Sequence, residues 1–175
     1  MNLSIILLFL MSPLLLNFGS EGNTQNWFSI TDRVMGGRSD TRLSQTTNSL
    51  VLEGVVSLKN NGGFVSCRSE TQRFSLSTYS RVHIKYRSEG QKIAFTLHPN
   101  DRYYLPKYKV FLEETNMEWQ EVSFNLNNFQ QTVMGDITGK GITESILDQI
   151  MRLGFITTEK KEGAFTFEVA SITFS

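Results

Sequence analysis

Two short stretches of alternating residues constrain this chain more than any other part of it. Arg81-Val82-His83-Ile84-Lys85-Tyr86-Arg87 and Lys92-Ile93-Ala94-Phe95-Thr96-Leu97-His98 place apolar side chains at every second position. A helix would scatter that pattern around its axis. A pleated strand collects the apolar set on one face, so both stretches read as half-buried strands. Glu89-Gly90 lies between them, with a glycine free to take positive φ, and predicts an antiparallel hairpin. In that register Val82 faces Leu97, Ile84 faces Phe95 and Tyr86 faces Ile93. His83 then lies opposite Thr96, and both His83 and His98 point away from the apolar face.

The same reasoning marks further strands at 49–58, 63–68, 108–113, 120–126 and 153–157. Asn61-Gly62 is a tight-turn signal between the first two of these. Across 164–174 the pattern changes phase. Phe165, Phe167 and Val169 share one side and Ala170, Ile172 and Phe174 the other, so a bulge near Val169-Ala170 is expected to turn both sets inward. One helix is predicted over 143–151. Thr143 caps it, Ile146, Leu147, Ile150 and Met151 form its apolar stripe, and Gly154 stops it. Many short strands with frequent Gly, Asn and Ser turns predict an all-β antiparallel sandwich with one short helix.

Length and composition narrow the function classes. At 175 residues the chain suits one domain. Seventeen Lys plus Arg balance seventeen Asp plus Glu, which removes the global electrostatic case for nucleic acid. A single Cys forbids an intramolecular disulfide, and with only two His it cannot form a four-ligand structural zinc site.

The N-terminus supports two readings. Residues 5–16 are apolar apart from Ser12 and Pro13, too short to span a bilayer but suited to a signal-like leader or an anchor. Ser20-Glu21-Gly22 offers a cleavage position, which points to an exported, periplasmic or membrane-associated protein over a cytoplasmic one. No Lys or Arg precedes Arg33, so no mitochondrial presequence is evident. Alternatively Leu14-Leu15-Leu16-Asn17-Phe18 is the first strand of the fold. We divide the chain accordingly into a leader at 1–13 and a domain at 14–175.

No catalytic constellation is visible. His83 and His98 are the acid-base candidates by residue type, but both read as surface histidines without a nucleophile or an orienting partner. Cys67 alternates in phase with Val65 and reads as a small core residue. Met35-Gly36-Gly37-Arg38-Ser39 and Asn60-Asn61-Gly62-Gly63-Phe64 each carry a glycine pair. Neither has phosphate-loop or dinucleotide spacing, so structural use is expected, with Asp32, Arg33, Arg38 and Ser39 stitching the first loop. Finally, the loop bounded by Pro99 and Pro106 gathers Arg102, Tyr103 and Tyr104, with Tyr108 just beyond it. Exposed aromatics with polar neighbours can stack on a sugar or anchor a protein contact, and a roof over the sandwich edge is the structural alternative.

The run Trp27-Phe28-Ser29-Ile30-Thr31-Asp32-Arg33-Val34-Met35-Gly36-Gly37-Arg38-Ser39 resembles the signature of the complex I intermediate-associated protein family. Leu52-Glu53-Gly54-Val55-Val56-Ser57, Asn60-Asn61-Gly62-Gly63-Phe64, Trp119-Gln120-Glu121-Val122, Phe129 and Gly163-Ala164-Phe165-Thr166-Phe167-Glu168-Val169 continue the pattern over about residues 14 to 174. The resemblance implies a galactose-binding-like jelly-roll β-sandwich. It also implies a non-catalytic, chaperone-like assembly factor that binds protein partners, with respiratory complex I intermediates as the expected ones. A jelly-roll carbohydrate-binding module is the alternative. No cofactor is implied, and neither is NADH binding. By position, the signature residues are Trp27, Asp32, Met35, Gly36, Gly37, Arg38, Ser39, Gly62, Gly63 and Phe64.

Overall fold

The computed structural model describes residues 12–19 and 26–175. In these residues the strands run β1 (Leu14–Asn17), β2 (Trp27–Thr31), β3 (Asp40–Gln45), β4 (Leu50–Val56), β5 (Val65–Ser69), β6 (Arg81–Glu89), β7 (Ile93–His98), β8 (Lys107–Leu112), β9 (Gln120–Asn125), β10 (Gln130–Val133) and β11 (Asp136–Gly141). The helix α1 (Glu144–Leu147), β12 (Arg152–Thr157) and β13 (Gly163–Phe174) follow. Two antiparallel sheets face each other. One has the order β3-β4-β13-β6-β9 with β1 also on β13, and the other β11-β10-β8-β7-β12-β5-β2. This is the jelly-roll β-sandwich that the sequence and its resemblance led us to expect. The apolar leader before Ser12 and the cleavage position at Gly22 lie outside the described residues, while Leu14–Asn17 pairs with Ser171–Phe174 as a strand of the sheet.

Strand β13 carries the expected bulge. Its pairing with β6 shifts register between Val169 and Ser171. Phe165, Phe167 and Val169 before the shift, and Ile172 and Phe174 after it, are all buried, whereas Ala170, expected with the second set, is the bulged residue and only half-buried. The extra residue restores the inward phase, which lets one long strand serve β4 with its first half and β1 with its second.

The hairpin between β6 and β7 does not form. β6 pairs with β13 and β9 in the six-stranded sheet, whereas β7 pairs with β12 and β8 in the other. Gly90, at φ +85°, turns the chain from one sheet into the next, and a Cβ there would strike the Ala164 carbonyl. Val82, Ile84 and Tyr86 thus join Ile93, Phe95 and Leu97 in the core from opposite layers. Alternation specifies the buried face of a strand; its hydrogen-bonding neighbour is a separate choice. Asn61-Gly62 is corrected in the same way. It does not close a hairpin, because β4 belongs to the six-stranded sheet and β5 to the seven-stranded one.

The helix is shorter than expected, at Glu144–Leu147, and Thr143 makes no side-chain cap bond. Its stripe still reaches the core through Leu147 and Ile150. Gly154 stops nothing. It lies within β12, where a Cβ would sit 2.9 Å from both the Cys67 carbonyl and Thr96 Oγ1. The strands β2, β3, β10 and β11 escaped the sequence reading, the first and last of them for one reason. β2 is half-buried throughout and β11 exposed throughout, so neither alternates.

The two layers meet in an aromatic stack. Phe155 lies 4.6 Å from Phe167 between ring centroids, 5.2 Å from Phe95 and 5.8 Å from Trp27. Phe18 meets the other side of Trp27 edge-on at 5.3 Å. Cys67 is fully buried, and desolvation pushes its thiol up to about 12, an inert core residue as expected.

Candidate functional site

The two glycine-pair loops come together around one buried carboxylate. β2 ends at Thr31, whose hydroxyl accepts the Arg33 N–H at 3.3 Å and starts a 3-10 turn over Asp32–Met35. Gly36 closes that turn at φ +87°, a conformation that costs a residue with a Cβ about 1–3 kcal/mol. Asp32 is fully buried. Its Oδ1 accepts the Ser39 N–H at 2.9 Å, and its Oδ2 accepts the Ser39 hydroxyl at 2.5 Å, the Gly63 N–H at 2.6 Å and the Phe64 N–H at 3.4 Å. The Asp32 N–H donates in turn to the Phe64 carbonyl, and Asn60 Nδ2 donates to the Gly36 carbonyl at 3.0 Å. Ser39 extends the network by accepting the Ser57 N–H at 2.9 Å.

The glycines have distinct jobs in this knot. Gly36 and Gly63, at φ +87° and +123°, supply backbone shapes that favour glycine. Gly37 and Gly62 supply space instead, since a Cβ on either would collide with the Asp32 side chain. Burial alone would raise the Asp32 carboxyl, but the hydrogen bonds from Ser39, Gly63 and Phe64 outweigh it and hold the group below the usual carboxylate range. The carboxylate is thereby saturated with donors and serves the scaffold.

At the tip of its first turn this scaffold presents apolar side chains. Val34 and Met35 are 73% and 64% exposed at the tip of the clamped turn. Arg38 is exposed beside them, and Arg33 pairs with Asp40 at 3.3 Å on the surface. Trp27, at the other end of β2, belongs to the aromatic stack. It lines a shallow cleft of about 210 Å3 with Phe18, Leu43 and Leu50, and its Nε1 is buried without a hydrogen-bond partner.

The proline-bounded loop joins β7 to β8. Tyr103 and Tyr104 are 65% and 45% exposed, their rings edge to face at 5.5 Å, and Arg102 Nη1 donates to Tyr104 Oη at 2.9 Å. Tyr108 is not part of this group. Strand alternation turns it into the core, where Gln131 Nε2 donates to its hydroxyl at 2.9 Å.

The histidines do not meet. His83 lies on the outer side of the six-stranded sheet, within 3.1 Å of Ser175 Oγ. His98 faces outward from the opposite sheet, yet it is buried, contrary to the surface placement expected. It sits on a central strand among Arg68, Lys107 and Arg152. Burial first, then these three cations, hold its imidazole well below its ordinary pKa, so it stays neutral. Its Nε2 pairs with Thr96 Oγ1 at 2.9 Å. Among the described residues no group of three or more His, Cys, Asp and Glu side chains could hold a metal. The cationic neighbours of His98 escaped the sequence reading because strand order, not spacing, brings them together.

Comparison with known proteins adds the family. The family model for complex I intermediate-associated protein 30 matches residues 16–169. The chain is 22% identical to the mitochondrial complex I intermediate-associated protein 30 of Mus musculus over 176 aligned positions, covering 87% of this chain and 52% of that protein. It thus spans about half the length of that relative. Among solved structures, the family 11 carbohydrate-binding module of a cellulosomal cellulase from Clostridium thermocellum superposes with a TM-score of 0.67 at 15% identity, covering 93% of this chain and 94% of the other. The same module in complex with a mixed-linked β-1,3-1,4 tetrasaccharide gives 0.66 at 15% identity, with coverage of 93% and 94%. At such identities the likeness is one of fold.

Proposed function

This chain belongs to the complex I intermediate-associated protein 30 family, and on that premise we propose that its domain is a non-catalytic, chaperone-like module that docks protein partners during assembly of respiratory complex I. One observation carries the reading. The signature loop is fastened through Asp32 at its base while Val34 and Met35 stand exposed at its tip. Exposed apolar residues on a rigid support lose little entropy on docking, which is what an interface anchor needs. Leu58, 43% exposed at the start of the second loop, extends the apolar surface next to the knot.

Affinity capture from native respiratory membranes tests this. Respiratory-complex subunits are expected to be enriched over a control bait, and the double variant Val34→Ser/Met35→Ser should lose them while melting like the wild type. Absence of enrichment with the wild-type bait would overturn the assembly reading. Retention by the double variant would overturn the assignment of the contact to this turn.

A second reading has its own support. Arg102, Tyr103 and Tyr104 form an exposed polar-aromatic group, and the superposed structures are carbohydrate-binding modules. A glycan array is the test. Binding to a defined sugar, abolished by Tyr103→Ala and Tyr104→Ala, supports a carbohydrate site, and a blank array removes it.

A further inference from the structure

The outer face of the seven-stranded sheet is electrostatically one-sided. Cross-strand pairing aligns Phe28, Arg68, Gly154, Thr96, Lys109 and Gln130 in a single row from β2 to β10. The adjacent row holds Arg152 opposite His98, then Lys107 opposite Thr132. Within the seven strands the one acidic residue is Asp136, on the edge strand β11, against Arg68, Lys107, Lys109, Lys140 and Arg152. Glu70, one residue beyond β5 at the far edge, accepts from Asn26 Nδ2 at 3.1 Å and forms no ion pair with these cations. The opposite sheet mixes Asp40, Glu53, Glu89, Glu121 and Glu168 with Arg42, Arg81, Lys85 and Arg87. A chain of zero net charge thus hides a cationic face.

The cations on this face lack anionic partners. None of Arg68, Lys107, Lys109 and Arg152 forms an ion pair among the described residues, and Asp136 acts on Lys109 only at a distance. Arg152 donates to Thr71 Oγ1 at 2.9 Å and lies over the Phe28 ring at 5.4 Å. Lys107 Nζ donates to the Tyr103 carbonyl at 3.1 Å. The Arg68 guanidinium donates to no described residue. Its stem lies across Gly154, with Cγ 3.3 Å from where a Cβ would stand, so the missing side chain at 154 lets the guanidinium extend over the sheet. Desolvation acts on these cations first and their mutual repulsion second. Burial and Arg68 bring Lys107 down to about 8, and burial and Arg152 lower Arg68.

We propose that this face binds a phosphate group, held between Arg68, Lys107 and Arg152 above Thr96 and His98. Three unbalanced, half-desolvated cations are best neutralised by a group carrying more than one negative charge. Guanidinium forks also match phosphate oxygens two at a time. A carboxylate would supply one charge and leave two cations unpaired. Neutral His98 adds no further repulsion and keeps its bond to Thr96. Phe28 and Phe111, the latter 38% exposed, border the face and offer apolar surface to whatever group carries the phosphate. This site stands independently of the assembly reading.

Titration of the full chain with inorganic phosphate, at ionic strength held constant with chloride, tests the site by calorimetry and amide NMR. Saturable binding is expected, with shifts centred on Arg68, Thr96 and Gly154. Arg68→Gln and Arg152→Gln should each weaken it about tenfold or more, whereas Arg81→Gln on the other sheet should not change it. Melting curves establish that each variant is folded, and Lys107→Gln serves in place of either one that is not. Non-saturable shifts, equal shifts with chloride, or wild-type affinity in the folded variants would overturn the proposal. Co-sedimentation with phosphatidylcholine vesicles, with and without phosphatidic acid, separates the sources. Pelleting that free phosphate reverses assigns the group to a lipid headgroup. Saturable phosphate binding without pelleting assigns it to a soluble phosphate compound.

Discussion

Asp32→Ala is expected to destabilise the domain by about 3–5 kcal/mol in chemical denaturation, because it removes the acceptor on which two loops converge. The Ser39, Gly63 and Phe64 amides lose their partner together, and each buried donor left unpaired costs about 1–3 kcal/mol. Asp32→Asn should fall between, since its amide keeps one acceptor and turns a donor toward an N–H. Gly36→Val probes the same loop from its tip and should lose less, about 1–3 kcal/mol, because nothing within 4 Å opposes a Cβ there and only the positive φ does. The carboxylate also sets an acid limb. Its folded pKa lies below the reference value of 3.8, so its ionised form contributes stability fully above that value. The contribution disappears as pH falls from 3.8 through the lower folded pKa. Stability measured against pH should therefore drop more steeply below 3.8 in the wild type than in Asp32→Asn. Wild-type stability in Asp32→Ala would show that the loops are held by something else.

Phe155→Ala should cost about as much, roughly 3–5 kcal/mol, by a different mechanism. Phe155 is fully buried and touches rings from both sheets, Phe95 and Trp27 beside it and Phe167 across the interior. Removing the ring loses its transfer free energy and opens a cavity that paired strands on either side cannot collapse into. Phe155→Leu fills most of the space and should lose much less. Trp27 reports on the change directly, since the alanine variant removes its stacking partner and should alter its fluorescence in the folded state. A wild-type denaturation midpoint for Phe155→Ala would mean that the layers are not joined through this stack.

The acidic knot and the aromatic stack differ in how far the sequence disclosed them. The signature residues are visible as a group, and so is the expectation that Asp32, Arg33, Arg38 and Ser39 stitch the loop. Asp32 and Ser39 do so, while Arg33 pairs with Asp40 at the surface and Arg38 is exposed. The division of labour among the signature residues is not visible. Gly37 and Gly62 are needed for space around a carboxylate that, in the case of Gly62, lies thirty residues away in the chain, and only the folded chain shows that contact. Likewise the motif points to Met35 without showing that Val34 and Met35 are its outward-facing apolar members. Proximity in sequence groups Tyr108 with Tyr103 and Tyr104, yet strand alternation turns it inward. Alternation discloses that His98 faces outward but not that it is buried. An outward residue on the middle strand of a wide sheet is covered by the long side chains of its neighbours, and these come from β5, β8 and β12.

The amino-acid order alone determined local features: that the alternating stretches are strand, which side of each of them is apolar, where β13 must bulge, and that the chain is an all-β member of its family. These depend on side-chain alternation and backbone preference over a few residues, so they can be read without knowing any partner. Tertiary structure decided which strands pair. That is why β6 and β7 part at Gly90 instead of forming a hairpin, why both glycine loops close on Asp32, and why Arg68, Lys107 and Arg152 share a face within a chain of zero net charge. Pairing is a non-local choice, set when both sheets bury their apolar faces at once, and no alternation pattern within one strand encodes its neighbour.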